Sequence, residues 1–146
     1  MRAAGLPEQA RVRRVIDGDT VELDDSRLVR YIGIDAPELR RRIGGRWVMD
    51  PEPFAQAATD ANVRLVGGRR VRMAYDVQTH DRFGRLLAYV YVPGGGPPDE
   101  VMVNEELIRQ GFAQLLTIPP DVKHAERFRA LAEEARAARR GLWGTR

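Results

Sequence analysis

Cysteine is absent from the 146 residues, and histidine and lysine are scarce. Without cysteine the chain can form no disulfide, no thiolate metal site and no cysteine nucleophile. The two histidines, His80 and His124, lie far apart in the sequence, which argues against a zinc centre built on several histidines. Any metal ion must therefore be held mainly by oxygen ligands, and such ligands favour calcium or magnesium.

Long hydrophobic runs are also missing. The first ten residues, MRAAGLPEQA, contain no apolar core of the kind found in signal peptides, and no later stretch is long enough to cross a bilayer. We therefore expect no membrane segment. The compartment stays undetermined, since the chain as given would be cytoplasmic but the removal of a leader would leave no trace in it. We also expect a monomer.

The positive charge comes almost entirely from arginine. The formal net charge is only +3, but arginine stays protonated at any working pH, and the sequence pI is about 9.8. An arginine fork can donate two hydrogen bonds to one phosphate, whereas a lysine ammonium acts as a point charge. The composition favours phosphate recognition, although a biased genome or heat adaptation would produce the same bias.

Hydrophobic patterning predicts one small α+β domain over residues 11–146, preceded by a flexible N-terminal segment, residues 1–10. Alternating and β-branched residues predict strands, and apolar residues at helical spacing predict three helices. The predicted strands cover residues 11–23 around a turn at Gly18, 28–34, 70–76, 86–92 and 112–116, and the predicted helices cover 53–66, 103–110 and 124–140. This order of elements favours a β-barrel that carries helices.

Acidic residues recur where two predicted strands end. The segment IDGDT places Asp17 and Asp19 at one turn, and IDAPE places Asp35 and Glu38 at another. Aspartate and glycine at turns are usually structural, so either segment alone carries little weight. Arg30 precedes Asp35 by an odd number of residues, which in an extended strand puts the two side chains on opposite faces unless a bend or bulge intervenes. Periodicity therefore leaves their convergence open.

Five segments, taken in order, resemble the staphylococcal nuclease family. They are IDGDT, VRYIGIDAPE, DRFGRLLAYVYV, VNEELIRQGFA and RRGLWG, and together they extend over nearly the whole chain. The resemblance implies a five-stranded OB-fold β-barrel with about three α-helices. It also implies a calcium-dependent nuclease that hydrolyses DNA and RNA and leaves 3′-phosphate and 5′-hydroxyl ends.

The resemblance implies metal ligands at specific positions. Asp19 and Asp35 match the family's calcium-binding carboxylates, and the backbone carbonyl of Ala36 matches a third oxygen ligand. Asp17 matches a carboxylate that supports the site from outside the ligand set. Calcium accepts about six to eight oxygen ligands in flexible geometry, so these groups would leave positions for water and for a phosphate oxygen.

The resemblance also implies the catalytic side chains. Glu38 matches the proposed general base, and Arg30 and Arg85 match the two arginines that hold the scissile phosphate. A general base must lie within reach of the water that it deprotonates, and arginine forks bind a phosphate more strongly as charge accumulates on it. The alternative is a catalytically silent OB-fold module that binds nucleic acid or a protein partner, but such a module would not need all of these side chains.

The chain departs from the family pattern at the nucleotide contacts. Phe83, Thr117 and Pro119 stand where the family has nucleotide-binding tyrosines, so the resemblance does not extend to their hydroxyl groups. Phe83 can still stack on a base, and Arg82 beside it is a second candidate substrate contact.

Residues 39–53, LRRRIGGRWVMDPEP, predict a long exposed loop because charge, glycine and proline dominate them. Arg40, Arg41 and Trp47 on this loop are candidate substrate contacts. A charge run of this kind is usually a solvated surface. Next to a phosphate site it would instead attract a polyanion, with Trp47 stacking on bases, and the sequence leaves both interpretations open.

Overall fold

The computed structural model describes residues 5–97 and 99–144. The strands are β1 (Gln9–Asp17), β2 (Thr20–Leu23), β3 (Leu28–Tyr31), β4 (Ile34–Asp35), β5 (Arg40–Ile43), β6 (Arg46–Met49), β7 (Arg70–Ala74), β8 (Leu86–Pro93), β9 (Glu100–Met102) and β10 (Gln114–Leu115). The helices are α1 (Ala55–Val66), α2 (Val103–Arg109) and α3 (Ala125–Ala137), followed by a 3₁₀ helix over Gly141–Trp143. Within the described residues, no helix combines the length and the apolar character that a bilayer crossing requires.

Five strands close into a barrel. β1 pairs antiparallel with β2 and β7, β2 pairs with β3, and β7 pairs with β8, while a parallel pairing between β3 and β8 completes the circle. β1 can serve two neighbours because residues 9–11 pair with β7 and residues 12–17 pair with β2, with irregular register along the second part. The predicted α+β fold, a five-stranded OB-fold barrel with three helices, is confirmed.

The barrel interior and the surfaces beneath the helices form one hydrophobic core. Its largest fully buried side chains include Tyr31, Tyr89 and Phe128. α1 packs on β1, and α2 packs on β8 and on α3. The core thus fixes the helices against the strands that carry the acidic segments.

A buried asparagine attaches α2 to the barrel. Asn104 Oδ1 accepts a hydrogen bond of 2.9 Å from the Val90 N–H, and Asn104 Nδ2 donates to the carbonyls of Ile32 and Ala88 at 2.9 and 3.3 Å. Buried polar groups that find partners stabilise one arrangement of the core. Ile32 follows β3 directly, so Asn104 also holds the segment that connects β3 to β4.

A glycine divides the predicted strand 28–34 into two strands. β3 ends at Tyr31 and β4 begins at Ile34, and Gly33 between them has a φ of +87° that side-chain-bearing residues rarely adopt. β4 then pairs with β10 in a separate two-stranded sheet. A Cβ atom at Gly33 would lie 2.4 Å from the Phe128 ring, so α3 packs against the bend itself.

The prediction that residues 39–53 form a loop is wrong for most of that segment. β5 and β6 form an antiparallel hairpin in which Arg40 pairs with Met49 and Arg42 pairs with Trp47. Gly44 and Gly45, which connect the strands, both have positive φ angles, +59° and +80°. Two-residue hairpin turns of type I′ require positive φ at both positions, so the Gly-Gly pair was the signal that the loop prediction missed.

The start of the barrel also differs from its predicted boundary. β1 begins at Gln9, so residues 9–10 of the segment predicted to be flexible belong to the barrel, and residues 1–4 lie outside the described residues. The Tyr75 hydroxyl donates a hydrogen bond of 2.6 Å to the Pro7 carbonyl. Pairing of β1 with β7 and this hydrogen bond therefore attach the part of the chain before residue 11 to the barrel.

Replacing Gly33 with alanine should destabilise the fold more than the same change at Gly68. Both glycines have positive φ, +87° and +68°, which is unfavourable for alanine by about 1–2 kcal/mol. At Gly33 the new methyl group would also press on Phe128, whereas nothing lies within 4 Å at Gly68. We expect an additional loss of about 1–3 kcal/mol at Gly33, measured as the free energy of unfolding in urea. Equal losses would contradict the close packing on Phe128.

Candidate active site

The turn between β1 and β2 lies against the chain that follows β4. Gly18 permits this approach, since a Cβ atom there would lie 2.7 Å from the Cβ of Ala36 and 2.9 Å from that of Ala58. Asp19, at the end of the turn, is buried, and its Oδ2 accepts a hydrogen bond of 2.8 Å from the Ala36 N–H. The two acidic segments therefore meet in the folded chain.

Hydrogen bonds fix Asp19 and its neighbour Asp17. The Thr20 hydroxyl donates to Asp19 Oδ1 at 3.0 Å, and the Asp19 N–H donates to Asp17 Oδ1 at 3.1 Å. The Asp17 carbonyl accepts a hydrogen bond of 2.9 Å from Asn62 Nδ2, which ties the turn to α1. Burial, followed by the negative charge of Asp19, raises the pKa of Asp17 to about 8. Asp17 thus contacts the backbone of Asp19 within a crowded acidic environment.

Arg30 joins the two acidic segments. Its Nη2 lies 3.4 Å from Asp19 Oδ2 and 3.4 Å from Asp35 Oδ1. Its Nη1 donates hydrogen bonds of 2.9 Å to the carbonyls of Tyr31 and Ile34. The odd spacing between Arg30 and Asp35 does not by itself predict that the two side chains meet. They do meet, because the bend between β3 and β4 turns Asp35 toward the guanidinium.

Three carboxylates form a cluster that could hold a metal ion. One oxygen each from Asp19, Asp35 and Glu38 lies within 4.8 Å of the others, and this is the one such group found among residues 5–97 and 99–144. Calcium binds oxygen at about 2.3–2.6 Å, so ligands on opposite sides of the ion lie about 5 Å apart and the cluster fits a hard cation of that size. The ligand roles of Asp19, Asp35 and the Ala36 carbonyl and the supporting role of Asp17 stay predictions.

Glu52 holds Glu38 across the base of the β5–β6 hairpin. The Glu38 N–H donates to Glu52 Oε1 at 2.8 Å, and the Glu52 N–H donates to the Glu38 carbonyl at 2.8 Å. Burial, followed by the charges of Asp19 and Asp35, raises the pKa of Glu38 to about 7. A carboxyl group whose pKa lies near the working pH is suited to move a proton.

A cavity of about 240 Å³ lies beside Arg30. Its walls also include Arg82, Phe83 and Arg85, so the fold brings these predicted substrate and phosphate contacts together along one cavity. Phe83 is 70% exposed, and the guanidinium carbons of Arg82 and Arg85 lie 5.0 and 5.6 Å from its ring centroid. The cavity therefore offers cationic groups and an accessible aromatic ring to the same ligand.

Asp81 orients Arg85 at the cavity wall. Asp81 Oδ2 accepts a hydrogen bond of 2.6 Å from Arg85 Nε, and Oδ1 accepts hydrogen bonds of 2.9 Å from the N–H groups of Phe83 and Arg85. Burial alone would raise the pKa of Asp81, but these hydrogen bonds lower it. Asp81 therefore fixes both the turn and the guanidinium that the turn presents.

The remaining predicted substrate contacts lie on the hairpin rather than on the wall of this cavity. The guanidinium carbons of Arg40 and Arg42 lie 6.0 and 5.6 Å from the ring centroid of Trp47. Arg41 points elsewhere, because its Nε donates to Asp50 at 2.8 Å. The fold thus separates Arg41 from Arg40 and Trp47, although the three residues were predicted as one group.

Three supporting residues were missed by the sequence analysis. They are Asp81, which holds Arg85, Glu52, which holds the backbone of Glu38, and Asn62, which holds the Asp17 carbonyl. Asn62 left a recognisable signal, since it falls four residues after Ala58 on the buried face of α1. Glu52 left none, because its contact with Glu38 depends on a hairpin that replaces the predicted loop.

Comparison with known proteins assigns the chain to a family. Residues 28–145 match the model described as staphylococcal nuclease homologue. Thermonuclease of Staphylococcus hyicus is 33% identical over an alignment of 149 positions, which covers 97% of this chain and 82% of that protein. Thermonuclease of Staphylococcus intermedius is 32% identical over 136 residues, covering 90% of this chain and 74% of that protein. A protein of Escherichia coli named as an uncharacterized endonuclease is 38% identical over 140 residues, covering 91% and 75%.

The chain therefore belongs to the staphylococcal nuclease family. The family match and the names of these relatives support a nuclease, that is, a hydrolase. They also agree with the acidic cluster in implying a metal cofactor and a nucleic-acid substrate.

Without metal, the protein should lose stability as the pH rises through about 7. The pKa of Glu38 is raised from its ordinary value of 4.5 to about 7, so the folded state keeps a proton that the unfolded state releases. The resulting stabilisation is complete below about pH 4.5 and is lost as the pH passes 7. Asp17 acts in the same direction up to about pH 8.

Urea unfolding in chelator at several pH values isolates the Glu38 contribution if Glu38→Gln is compared with the parent. Allowing for solvent screening of a half-exposed carboxyl, the parent should lose on the order of 1 kcal/mol more than the variant between about pH 5 and pH 8. Parallel stability curves for the two proteins would contradict the raised pKa.

Proposed function

We propose that the protein is a calcium-dependent nuclease that hydrolyses phosphodiester bonds of DNA and RNA and leaves 3′-phosphate and 5′-hydroxyl ends. The observation that carries this proposal is the position of Arg30. Arg30 contacts Asp19 and Asp35 of the carboxylate cluster and lines the same cavity as Arg85. A phosphate that enters the cavity beside these two arginines would therefore lie next to the proposed metal ligands.

Calcium is proposed rather than magnesium because the ligands come from two separate turns. Magnesium demands near-octahedral geometry and gives up its waters reluctantly, whereas calcium tolerates irregular sets of oxygen ligands. Asp19 and Asp35 would bind the ion together with the Ala36 carbonyl. Asp17 would support Asp19 by accepting a hydrogen bond from the Asp19 N–H. When bound, calcium supplies positive charge beside the phosphate and leaves positions for water.

Side chains of the protein would carry out the remaining steps. Glu38 would accept a proton from the attacking water, and the water oxygen would form a bond to phosphorus as the bond between phosphorus and the 5′ oxygen breaks. The 5′ oxygen would take a proton from solvent and leave as a hydroxyl, while the phosphate stays on the 3′ side. Arg30 is fixed by two backbone carbonyls, so it can meet the phosphate without rearrangement. Asp81 accepts a hydrogen bond from Arg85 Nε, so the Nη groups of Arg85 are the ones that can bind the phosphate oxygens.

Nucleotide binding would use the exposed side of the cavity. Phe83 would stack on a base next to the scissile phosphate, as expected of an accessible ring that lies beside cationic side chains. Arg82 lies over the same ring and would contact the sugar-phosphate backbone. Because stacking does not involve the sugar, these contacts are compatible with both DNA and RNA.

Plasmid DNA and RNA should both be cleaved in calcium and left intact in excess chelator. The products should resist polymerase extension until a phosphatase removes the 3′-phosphate. Glu38→Gln should lower the single-turnover rate by roughly 10²- to 10⁴-fold, the usual contribution of a general base. Glu133→Gln, which changes an exposed glutamate of α3, is the matched control and should retain the parental rate.

Each result that departs from these expectations contradicts a different part of the proposal. Full activity in chelator would contradict the metal assignment, and 5′-phosphate ends would contradict the proposed direction of cleavage. Binding without cleavage under all of these conditions would support the silent OB-fold module instead.

Arg85 and Asp81 should act as one unit. Arg85→Ala should lower kcat by roughly 10³- to 10⁵-fold with little change in substrate affinity, because the arginine binds the developing charge. Asp81→Asn keeps an acceptor for the two backbone N–H groups and loses the ion pair with Arg85, so kcat should fall only roughly 10-fold.

The double variant Asp81→Asn with Arg85→Ala tests this coupling. Its kcat should equal that of Arg85→Ala alone, because Asp81 would act only through the guanidinium. If the two losses multiplied instead, Asp81 would have an independent role and the assignment would be wrong.

A further inference from the structure

The β5–β6 hairpin presents two faces of different character. Side chains directly opposite each other in an antiparallel pair lie on the same face, and the pairs Arg40 with Met49 and Arg42 with Trp47 alternate with the pairs formed by Arg41 and Ile43. The face that carries Arg40, Arg42, Trp47 and Met49 is called the tryptophan face below.

The tryptophan face has large apolar groups in solvent. Trp47 is 60% exposed and Met49 is 63% exposed, although neighbouring Leu39 is buried. The guanidinium groups of Arg40 and Arg42 lie within 6.0 Å of the Trp47 ring and still leave most of that ring accessible. An exposed aromatic ring bordered by cations is the arrangement expected of a surface that stacks on bases.

The hairpin is also strongly cationic. Residues 39–51 contain four arginines and one aspartate, a net charge of +3, which equals the net charge of the whole chain. That aspartate, Asp50, pairs with Arg41 on the other face. The positive charge on the tryptophan face therefore has no acidic partner within the hairpin, and this charge complements a polyanion.

The base of the hairpin is fixed beside the candidate active site. The Asp50 N–H donates to the Leu39 carbonyl at 2.9 Å, and the next pair of backbone contacts joins Glu52 to Glu38. A substrate chain held at Glu38 therefore has its next nucleotides within reach of the hairpin. This proximity distinguishes the tryptophan face from a charged surface elsewhere on the barrel.

We infer that the tryptophan face binds unpaired bases of a single-stranded polynucleotide that extends beyond the active site. The inference rests on the proposed function for the class of ligand. Trp47 stacks on a base, while Arg40 and Arg42 bind flanking phosphates. In a duplex the bases are already paired and stacked, so Trp47 gains no contact there, and the hairpin gives the enzyme a preference for single-stranded segments.

The test measures binding in chelator, where cleavage does not interfere. Fluorescence anisotropy follows labelled oligothymidylate and a labelled duplex, with unlabelled polyphosphate as a competitor that has charge but no bases. Trp47→Ala should weaken oligothymidylate binding by about 5- to 100-fold and change duplex and polyphosphate affinity by less than about two-fold. Trp47→Phe keeps a stacking ring and should recover most of the affinity.

Arg41 and Arg42 provide a matched pair of controls, because they are adjacent in β5 and lie on opposite faces. Arg42→Ala should lower the slope of log affinity against log salt by about 0.7 for the single strand, as expected for the loss of one phosphate contact. Arg41→Ala should lower it by less than half as much.

Three results would overturn the inference. They are parental oligothymidylate binding by Trp47→Ala, equal losses for single strand, duplex and polyphosphate, and equal effects of the two arginine variants. Failure of the proposed function would be visible separately, since a protein that cleaves nothing can still lose single-strand binding when Trp47 is removed.

Discussion

The arrangement of the site depends on one guanidinium that reaches two turns. Arg30 extends from a barrel strand to the carboxylates of Asp19 and Asp35 and to the carbonyl of Ile34. Its positive charge offsets part of the repulsion between the carboxylates, and its hydrogen bonds fix the chain that follows the strand. The contact is possible because Gly33 interrupts the strand and Phe128 packs against the interruption. Core packing and active-site geometry therefore share the same few residues.

The site is electrostatically unfavourable in the absence of a cation. Asp19, Asp35 and Glu38 lie within 4.8 Å of one another, and the pKa of Asp35 is raised, first by burial and then by the charge of Asp19. One arginine does not neutralise three carboxylates, so the repulsion between them lowers the stability of the folded barrel. A divalent ion that binds only the folded state would restore that stability. The same crowding that weakens the metal-free protein would give the ion its affinity.

Sequence patterns predicted the barrel and its helices because these elements have regular hydrophobic spacing and clear glycine and proline boundaries. Patterns could not predict that Arg30 and Asp35 converge, since the bend at Gly33, which has a positive φ, interrupts the regular alternation of side chains between the two residues. The hairpin was missed because charge obscured the Gly-Gly turn signal. Glu52 could not be found because its contact with the Glu38 backbone depends on that hairpin. Asp81 lies within a few residues of its partners Phe83 and Arg85, but an aspartate at a turn does not by itself indicate that it also holds a guanidinium.

Measuring calcium binding and turnover on the same protein shows whether one carboxylate cluster serves both. Calorimetric titration gives the calcium affinity, and single-turnover cleavage of a defined oligonucleotide gives the rate at each calcium concentration. We expect the two curves to have the same midpoint in the parent, and we expect Asp35→Asn to weaken both together, because one cluster would bind the ion and support the reaction. Parental calcium affinity in Asp35→Asn, or cleavage that reaches its maximum before calcium binds, would contradict the account.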